Sequence, residues 1–405
     1  MAKKVIITGI SGQDGSYMAE YILKNTDNIV VGGIRRTSQA ILSNLTAIID
    51  HPRFKLITAD LCDGEAIRSL IREEKPDYFI NFGAQTFVKD SWKHPVAHMM
   101  TNAISLIYIY EAIREYCPTC RVYSAGSSEQ WGDVKYNPQD ENHPMSPRSI
   151  YGVSKCAASH ITKVYRESYG LYAIHGVLLN HESERRQDYF VTRKITKGVV
   201  RIVGQLRKVT NKDGNITGEA NFAPIELGNV DSYRDWSHAE DFVDGVWRML
   251  NQEEYNREKA IGYFTKEIET KVLSKYIKEY VLSSNETHSI REFVITAFEK
   301  AGYKGQWVGK GLDEKFVIFC GNTSIAGLKD KYFSQTPVYA EVVKINPEFY
   351  RPADVELLHG DSSAIRRDLG WEPKISFSKL VERMVNHDLV QYIMSDENKT
   401  RLPSK

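Results

Sequence analysis

The chain has 405 residues, 42% of them apolar, enough for two lobes around a large core. Its net charge of +1 argues against nucleic-acid or anionic-membrane binding driven by bulk charge, so any phosphate must be met by local Arg and Lys. No apolar run is long enough to span a bilayer, and the opening MAKKVIITGI runs into a strand without an apolar leader. The five cysteines (Cys62, Cys117, Cys120, Cys156 and Cys320) are therefore expected as reduced thiols in the cytoplasm. Cys117 and Cys120 form a single CxxC; with no second pair to complete a zinc site, they read as small residues between a helix and a strand, and no metal is expected.

In chain order, VIITG (5–9), IVVGGI (29–34), KLITAD (55–60), YFINFGA (78–84), RVYSAG (121–126) and AIHGVLLN (173–180) are short apolar runs ending in small or polar residues. Amphipathic segments such as SYMAEYILKN, EAIRSLIREE and LIYIYEAIREY lie between them. This alternation predicts an α/β fold: a doubly wound parallel sheet of the Rossmann kind, with helices on both faces and ligands bound at the carboxyl ends of the strands. After Asn180 the rhythm breaks. Segment 181–229 is polar and basic, 238–252 reads as a helix returning to the sheet, and 253–279 is charged and helical in pattern. The expected division is therefore 1–180 with 230–252 as the dinucleotide-binding domain. A smaller discontinuous α/β substrate lobe takes 181–229 with 280–405, and 253–279 is a helical insertion.

The first strand runs into Thr8-Gly-Ile-Ser-Gly-Gln-Asp-Gly-Ser16. Gly9, Gly12 and Gly15, with Gln13 and Asp14 between them, open a helix whose N-terminus suits a pyrophosphate. Arg35 and Arg36 end the second strand, where NAD-specific sites usually carry an acid. Arginines there accommodate a 2′-phosphate, so NADP is expected; the alternative is a solvated basic turn. Asp60 and Leu61 end the third strand and are candidates for holding the adenine. Asn81-Phe-Gly-Ala-Gln85 ends the fourth, with Gln85 toward the cofactor.

Ser127-Ser128-Glu129 and Tyr151-Gly-Val-Ser-Lys155 make the candidate reactive centre. At i and i+4 on a helix, Tyr151 and Lys155 face one way, and an ammonium there favours the phenolate, a usable base near neutral pH. The same spacing recurs at Tyr255 and Lys259 without a serine cluster upstream, and that copy reads as surface. Dehydrogenation or 4-epimerisation needs only hydroxyl, tyrosine and lysine. A carboxylate beside them, Glu129, can also remove a proton α to a ketone and pass it to a leaving hydroxyl. The alternative for Glu129 is a helix-cap or surface residue.

Together with NFGAQTFVKDSW (81–92), SSEQWG (127–132), SPRSIYGVSK (146–155), LLNHESERR (178–186), FVTRKIT (190–196), GNVDSYRDWSHAEDFV (228–243) and LGWEPKISF (369–377), these residues resemble the GDP-mannose 4,6-dehydratase family of extended short-chain dehydrogenases over nearly the whole chain. The resemblance implies that Tyr151 takes the sugar O4 proton, that Lys155 holds the cofactor ribose, and that Glu129 moves the C5 proton to the departing O6. Ser127 stands where the family usually has threonine, and Ser128 in the same turn is assigned to substrate. His181 and Arg186 match cofactor contacts; Asn180, Lys194, Arg234 and Arg291 match or adjoin nucleotide-diphosphate contacts. A GDP-sugar substrate follows, GDP-mannose or another such as a GDP-manno-heptose, with a 4-epimerase or an inactive scaffold as rivals. The segment after Arg36 departs from the family pattern, as do the longer stretches 206–224 and 253–279. A homodimer or homotetramer is expected through the helix at Tyr151 and one spanning roughly 97–115, whose Ile104, Leu106, Ile107, Ile109 and Tyr110 exceed the apolar needs of one sheet-covering face.

Overall fold

The structure, a computed structural model, describes residues 2–35, 42–208, 221–255, 276–321, 340–350 and 357–401. Two compact units emerge, one of residues 1–181, 235–287 and 357–374, the other of 182–234, 288–356 and 375–405.

The first unit is built on β1 (Lys4–Thr8), α1 (Gln13–Asn25), β2 (Ile29–Ile34), β3 (Phe54–Thr58), α2 (Gly64–Glu74), β4 (Tyr78–Asn81), α3 (Pro95–Met99), α4 (Ser105–Tyr116), β5 (Arg121–Ala125), α5 (Ile150–Tyr169), β6 (Tyr172–Leu178), α6 (Ala239–Leu250), β7 (Val281–Leu282) and α7 (Ser363–Leu369). Seven strands form one parallel sheet in the order β7-β6-β5-β4-β1-β2-β3. The period-2 alternation of β1 feeds two cores. Val5 and Ile7 join Met18, Ile22, Phe242, Val246 and Trp371 on the face covered by α1 and α6. Ile6 joins Ile67, Leu70, Leu106, Ile109 and Ala158 on the face covered by α2, α4 and α5. Each such buried Val, Leu, Ile, Met or Phe side chain is worth about 1.5–3 kcal/mol.

Helix limits follow local chemistry. Asp63 accepts from Glu65 N and Ala66 N to start α2, and Lys75 at φ 45° stops it. Ser149 accepts from Gly152 N to start α5, and Gly170 at φ +71° ends it. The helix expected over 97–115 is instead three pieces, α3, a π-helical turn Met100–Ile104, and α4. Its apolar surplus is largely absorbed within the chain: Leu106, Ile109 and Tyr110 are fully buried because α4 packs on α2 and α5 as well as the sheet.

Among the described residues, the second unit pairs a mixed sheet with three helices. Tyr303–Val308, Lys315–Gly321 and Ala340–Ile345 run antiparallel, and Ile225–Leu227 adds a parallel edge. Helices Val191–Lys208 and Phe377–Arg401 are clamped by the buried pair Arg193–Asp388, with Nη1 2.7 and 2.6 Å from the two carboxylate oxygens. The division differs from the expected one at its carboxyl end. Residues 280–287 and 357–374 belong with the first unit, since Val281–Leu282 supplies the seventh strand and Trp371 Nε1 donates to Asp241 O at 2.9 Å. Arg36 and most of the stretches 206–224 and 253–279 lie outside the described residues.

Candidate active site

Strand order reverses between β1 and β4, which opens a crevice at their carboxyl ends. Gly9 sits there at φ +68°, and a Cβ on it would stand 2.7 Å from Gly83 N. A Cβ on Gly15 would be 2.3 Å from Gly9 O, so only glycine lets α1 start against this turn. Gly12 caps α1 without a side-chain acceptor, which leaves the first-turn N–H groups facing the crevice, as a pyrophosphate requires. Around this cradle, His181 Nε2 lies 3.1 Å from Asp14 Oδ2, and Gln13 Nε2 donates to His181 O at 3.0 Å. Two residues of the glycine turn and one that follows β6 thus form one cluster.

Arg35 is exposed just past β2. Asp60 Oδ1 accepts from Cys62 N at 2.9 Å, and Leu61 is buried against the position where Gly83 lacks a side chain. Gln85 is held by a residue that sequence reasoning missed. Asn102 accepts from Gln85 N at 2.8 Å and donates to Gln85 O and Ser154 Oγ, both at 3.0 Å. One buried amide therefore ties the end of β4 to the helix carrying Lys155.

At the end of β5, Ser127 accepts from Glu129 N and opens a 3-10 turn, Ser128–Gln130, in which Ser128 is buried. Gly152 lets α5 close on this turn, because a Cβ there would meet Glu129 O at 2.6 Å. Cys156 Sγ donates to Gln130 O at 3.4 Å. Glu129, Tyr151 and Lys155 are thereby gathered by backbone packing, not by chain adjacency. Lys155 Nζ donates to Ala125 O at 2.7 Å and stands 5.8 Å from the Tyr151 ring centre. Burial pushes the Lys155 ammonium down to about 8, partly opposed by Asp14, so it stays cationic at neutral pH. Beneath the turn, His175 of β6 donates from Nε2 to Gln130 Oε1 at 3.2 Å. Both side chains line a cavity of about 350 Å³ with Glu141, Ser159, Lys278 and Asp368. Gln130 lies within SSEQWG and His175 within the strand run AIHGVLLN, yet nothing local pairs them, so only the fold reveals the contact.

Asn180, at the edge of the first unit, has an Oδ1 without a hydrogen-bond partner among the described residues. The other expected contacts lie in the second unit. Arg186 Nε is 3.2 Å from Glu182 Oε2 and its guanidinium stacks on Phe190. Lys194 Nζ lies 3.5 Å above the Phe349 ring, and Arg234 is buried with Nη1 donating to Tyr233 O. Arg291 is committed to two acids, Asp231 at 2.8 Å and Glu314 at 2.7 Å, which raise its pKa further. Binding a diphosphate would require it to exchange these partners.

The family model described as GDP-mannose 4,6 dehydratase matches residues 6–271 and 263–384. A GDP-mannose 4,6-dehydratase of Vibrio cholerae serotype O1 is 37% identical over 403 residues, covering 96% of this chain and 95% of that protein. A Drosophila melanogaster GDP-mannose 4,6 dehydratase is 36% identical, covering 96% of this chain and 86% of that protein. Among solved structures, dTDP-glucose 4,6-dehydratase from Bacillus anthracis, in complex with NAD, aligns with a TM-score of 0.68 at 17% identity over 98% of both chains, a likeness of fold. With the family model spanning both units and relatives well above 30% identity along nearly the whole length, the chain belongs to the GDP-mannose 4,6-dehydratase family.

Proposed function

We propose that this chain catalyses the 4,6-dehydration of GDP-mannose to GDP-4-keto-6-deoxymannose, with NADP as resident cofactor. One observation supports the reading: the backbone of the Glu129 turn is locked against the start of α5, the helix that carries the Tyr151–Lys155 pair, so a carboxylate is available on the turn next to that pair. Gly9, Gly12, Gln13, Asp14, Gly15 and Lys155 are the residues that would hold the dinucleotide, and the glycine cradle fits it. Bound there, the nicotinamide supplies a hydride acceptor for C4 and a hydride donor for C6.

The chain's own residues do the proton work. Tyr151 takes the O4 proton as C4 becomes a ketone, and the Lys155 cation favours the phenolate that makes this possible. The ketone acidifies C5, where Glu129 is the base; the same carboxyl then protonates O6, which leaves as water. Two protons leave the sugar, from O4 and C5, and two return, to O6 and C5, so both residues end the cycle as they began. The exposed Arg35, with Arg36, supports NADP over NAD.

The same reading places the enzyme in the cytoplasm as a homodimer or homotetramer. No helix among the described residues is long and apolar enough to cross a membrane. Val153, Val164 and Tyr169 of α5 are exposed and offer a face for a second copy. The test of function uses GDP-mannose deuterated at C4. Deuterium at C6 of the product, with catalytic NADP sufficing, supports the dehydratase; label back at C4 or left on the cofactor rejects it.

A further inference from the structure

His98 of α3 is fully buried and neither of its ring nitrogens has a hydrogen bond among the described residues. A buried polar group left so costs about 1–3 kcal/mol, and a leucine or phenylalanine would fill the space without that penalty. The imidazole stands edge-to-face with the Tyr151 ring, the centroids 6.2 Å apart and the planes at 88°. Behind it, Nε2 lies 3.6 Å from Asp90 Oδ2, too long for a hydrogen bond and close enough to become one. Asp90 belongs to the 3-10 turn Val88–Trp92, which packs with α3 and the π-helical turn on α5. Its other oxygen meets His94 Nδ1 at 2.9 Å. The titratable and charged groups facing His98 are therefore Asp90 and His94 on one side and Tyr151, with Lys155 beyond it, on the other.

We propose that His98 is a positioning residue for Tyr151: its imidazole sets the tyrosine ring edge-to-face and, when it takes a proton against Asp90, presents a cation to that ring. The proposal rests on Tyr151 being the base. Burial lowers the His98 pKa below its ordinary value while Asp90 pulls it back up, so the ring is neutral at pH 7 and gains its proton only as the medium turns acidic. At that point Lys155 alone would leave Tyr151 increasingly protonated and idle. A second cation on the ring, worth about 0.5–2 kcal/mol, holds more of the tyrosine as phenolate and flattens the acid limb of the rate profile. Asp90, held anionic by His94 and by His98, balances that charge and gives Nε2–H an acceptor.

The experiment measures kcat/KM for GDP-mannose from pH 5.5 to 8.5, with saturating NADP, for the wild type, His98→Phe, Asp90→Asn and Tyr151→Phe. His98→Phe keeps the aromatic contact and cannot titrate. At pH 7.5 it should retain most of its activity with an unchanged KM. Relative to that value it should lose about fivefold more than the wild type by pH 5.5. Asp90→Asn, at a half-exposed site that tolerates an amide, should move the acid limb the same way by a smaller amount. Superimposable normalised profiles for the wild type and both variants overturn the proposal. If His98→Phe does not fold, an Asp90→Asn profile identical to wild type overturns it alone. An active Tyr151→Phe enzyme strikes at the proposed function itself, an outcome distinct from any His98 result.

Discussion

Lowering the pH should weaken this fold in part through His175. The ring is 1% exposed, packed beneath Gly126, where a Cβ would stand 2.7 Å from Nε2, and bonded to Gln130. Burial, with the Lys155 and Arg166 charges adding to it, pushes the imidazole down to about 3 from an ordinary 6.5. The folded chain thus refuses a proton that the unfolded chain accepts. Stability from keeping this ring neutral is intact above pH 6.5 and is lost progressively as the pH falls from there toward 3. At about 1.4 kcal/mol per pH unit, going from pH 7 to pH 5 costs about 2 kcal/mol from this group. Urea unfolding of the wild type and His175→Gln at both pH values isolates the contribution, because glutamine fills the site without titrating. The wild type should lose about 2 kcal/mol more than the variant between the two conditions. Equal losses would show that His175 is not held neutral against its charge.

Three further outcomes follow from the site and the surface. Glu129→Gln keeps the shape of the turn and removes the base at C5; dehydration should fall at least about a hundredfold, scored by mass spectrometry as loss of water, with GDP binding by calorimetry nearly unchanged. Replacing Arg35 and Arg36 with Ala should weaken NADP far more than NAD in fluorescence titrations, and equal affinity of the wild type for the two would refute the reading of this turn. Sedimentation at micromolar concentration should give at least a dimer, and Val164→Glu, on the exposed face of α5, should shift it toward monomer.

Much of this architecture is readable from the chain because its signals are local. Alternating apolar runs and amphipathic helices announce the parallel sheet, and Gly9, Gly12 and Gly15 mark the turn after β1 through backbone geometry alone. Tyr151 and Lys155 sit one helical turn apart, so their shared face needs no tertiary information. What escapes the sequence is set by long-range packing. Asn102 reaches Gln85 and Ser154, His175 reaches Gln130, and His98 meets Tyr151, all across segments with no common motif. The two-residue strand Val281–Leu282 is too short to show a period, which is why residues 280–287 read as part of the other lobe. The resemblance places Arg291 at or beside a nucleotide-diphosphate contact, but its commitment to Asp231 and Glu314 depends on the fold. The burial of Leu106, Ile109 and Tyr110 is likewise set by long-range packing, because α4 packs on α2 and α5 as well as on the sheet.

The order of the strands also dictates a hazard during synthesis. β6 is complete at Leu178, yet the neighbour that covers its outer edge arrives with Val281, roughly a hundred residues later. In the finished molecule Val177 N and Leu179 N donate to Tyr280 O and Leu282 O. At a translation rate of about 5–20 residues per second, those donors wait on the order of 5–20 seconds on a growing polypeptide. For that interval the nascent sheet presents a buried-type strand as an open edge, the geometry that recruits a second strand from a neighbouring nascent chain. A chaperone that shields β6 over this interval, or codon usage that shortens it, would raise the yield of folded protein without altering a single native contact.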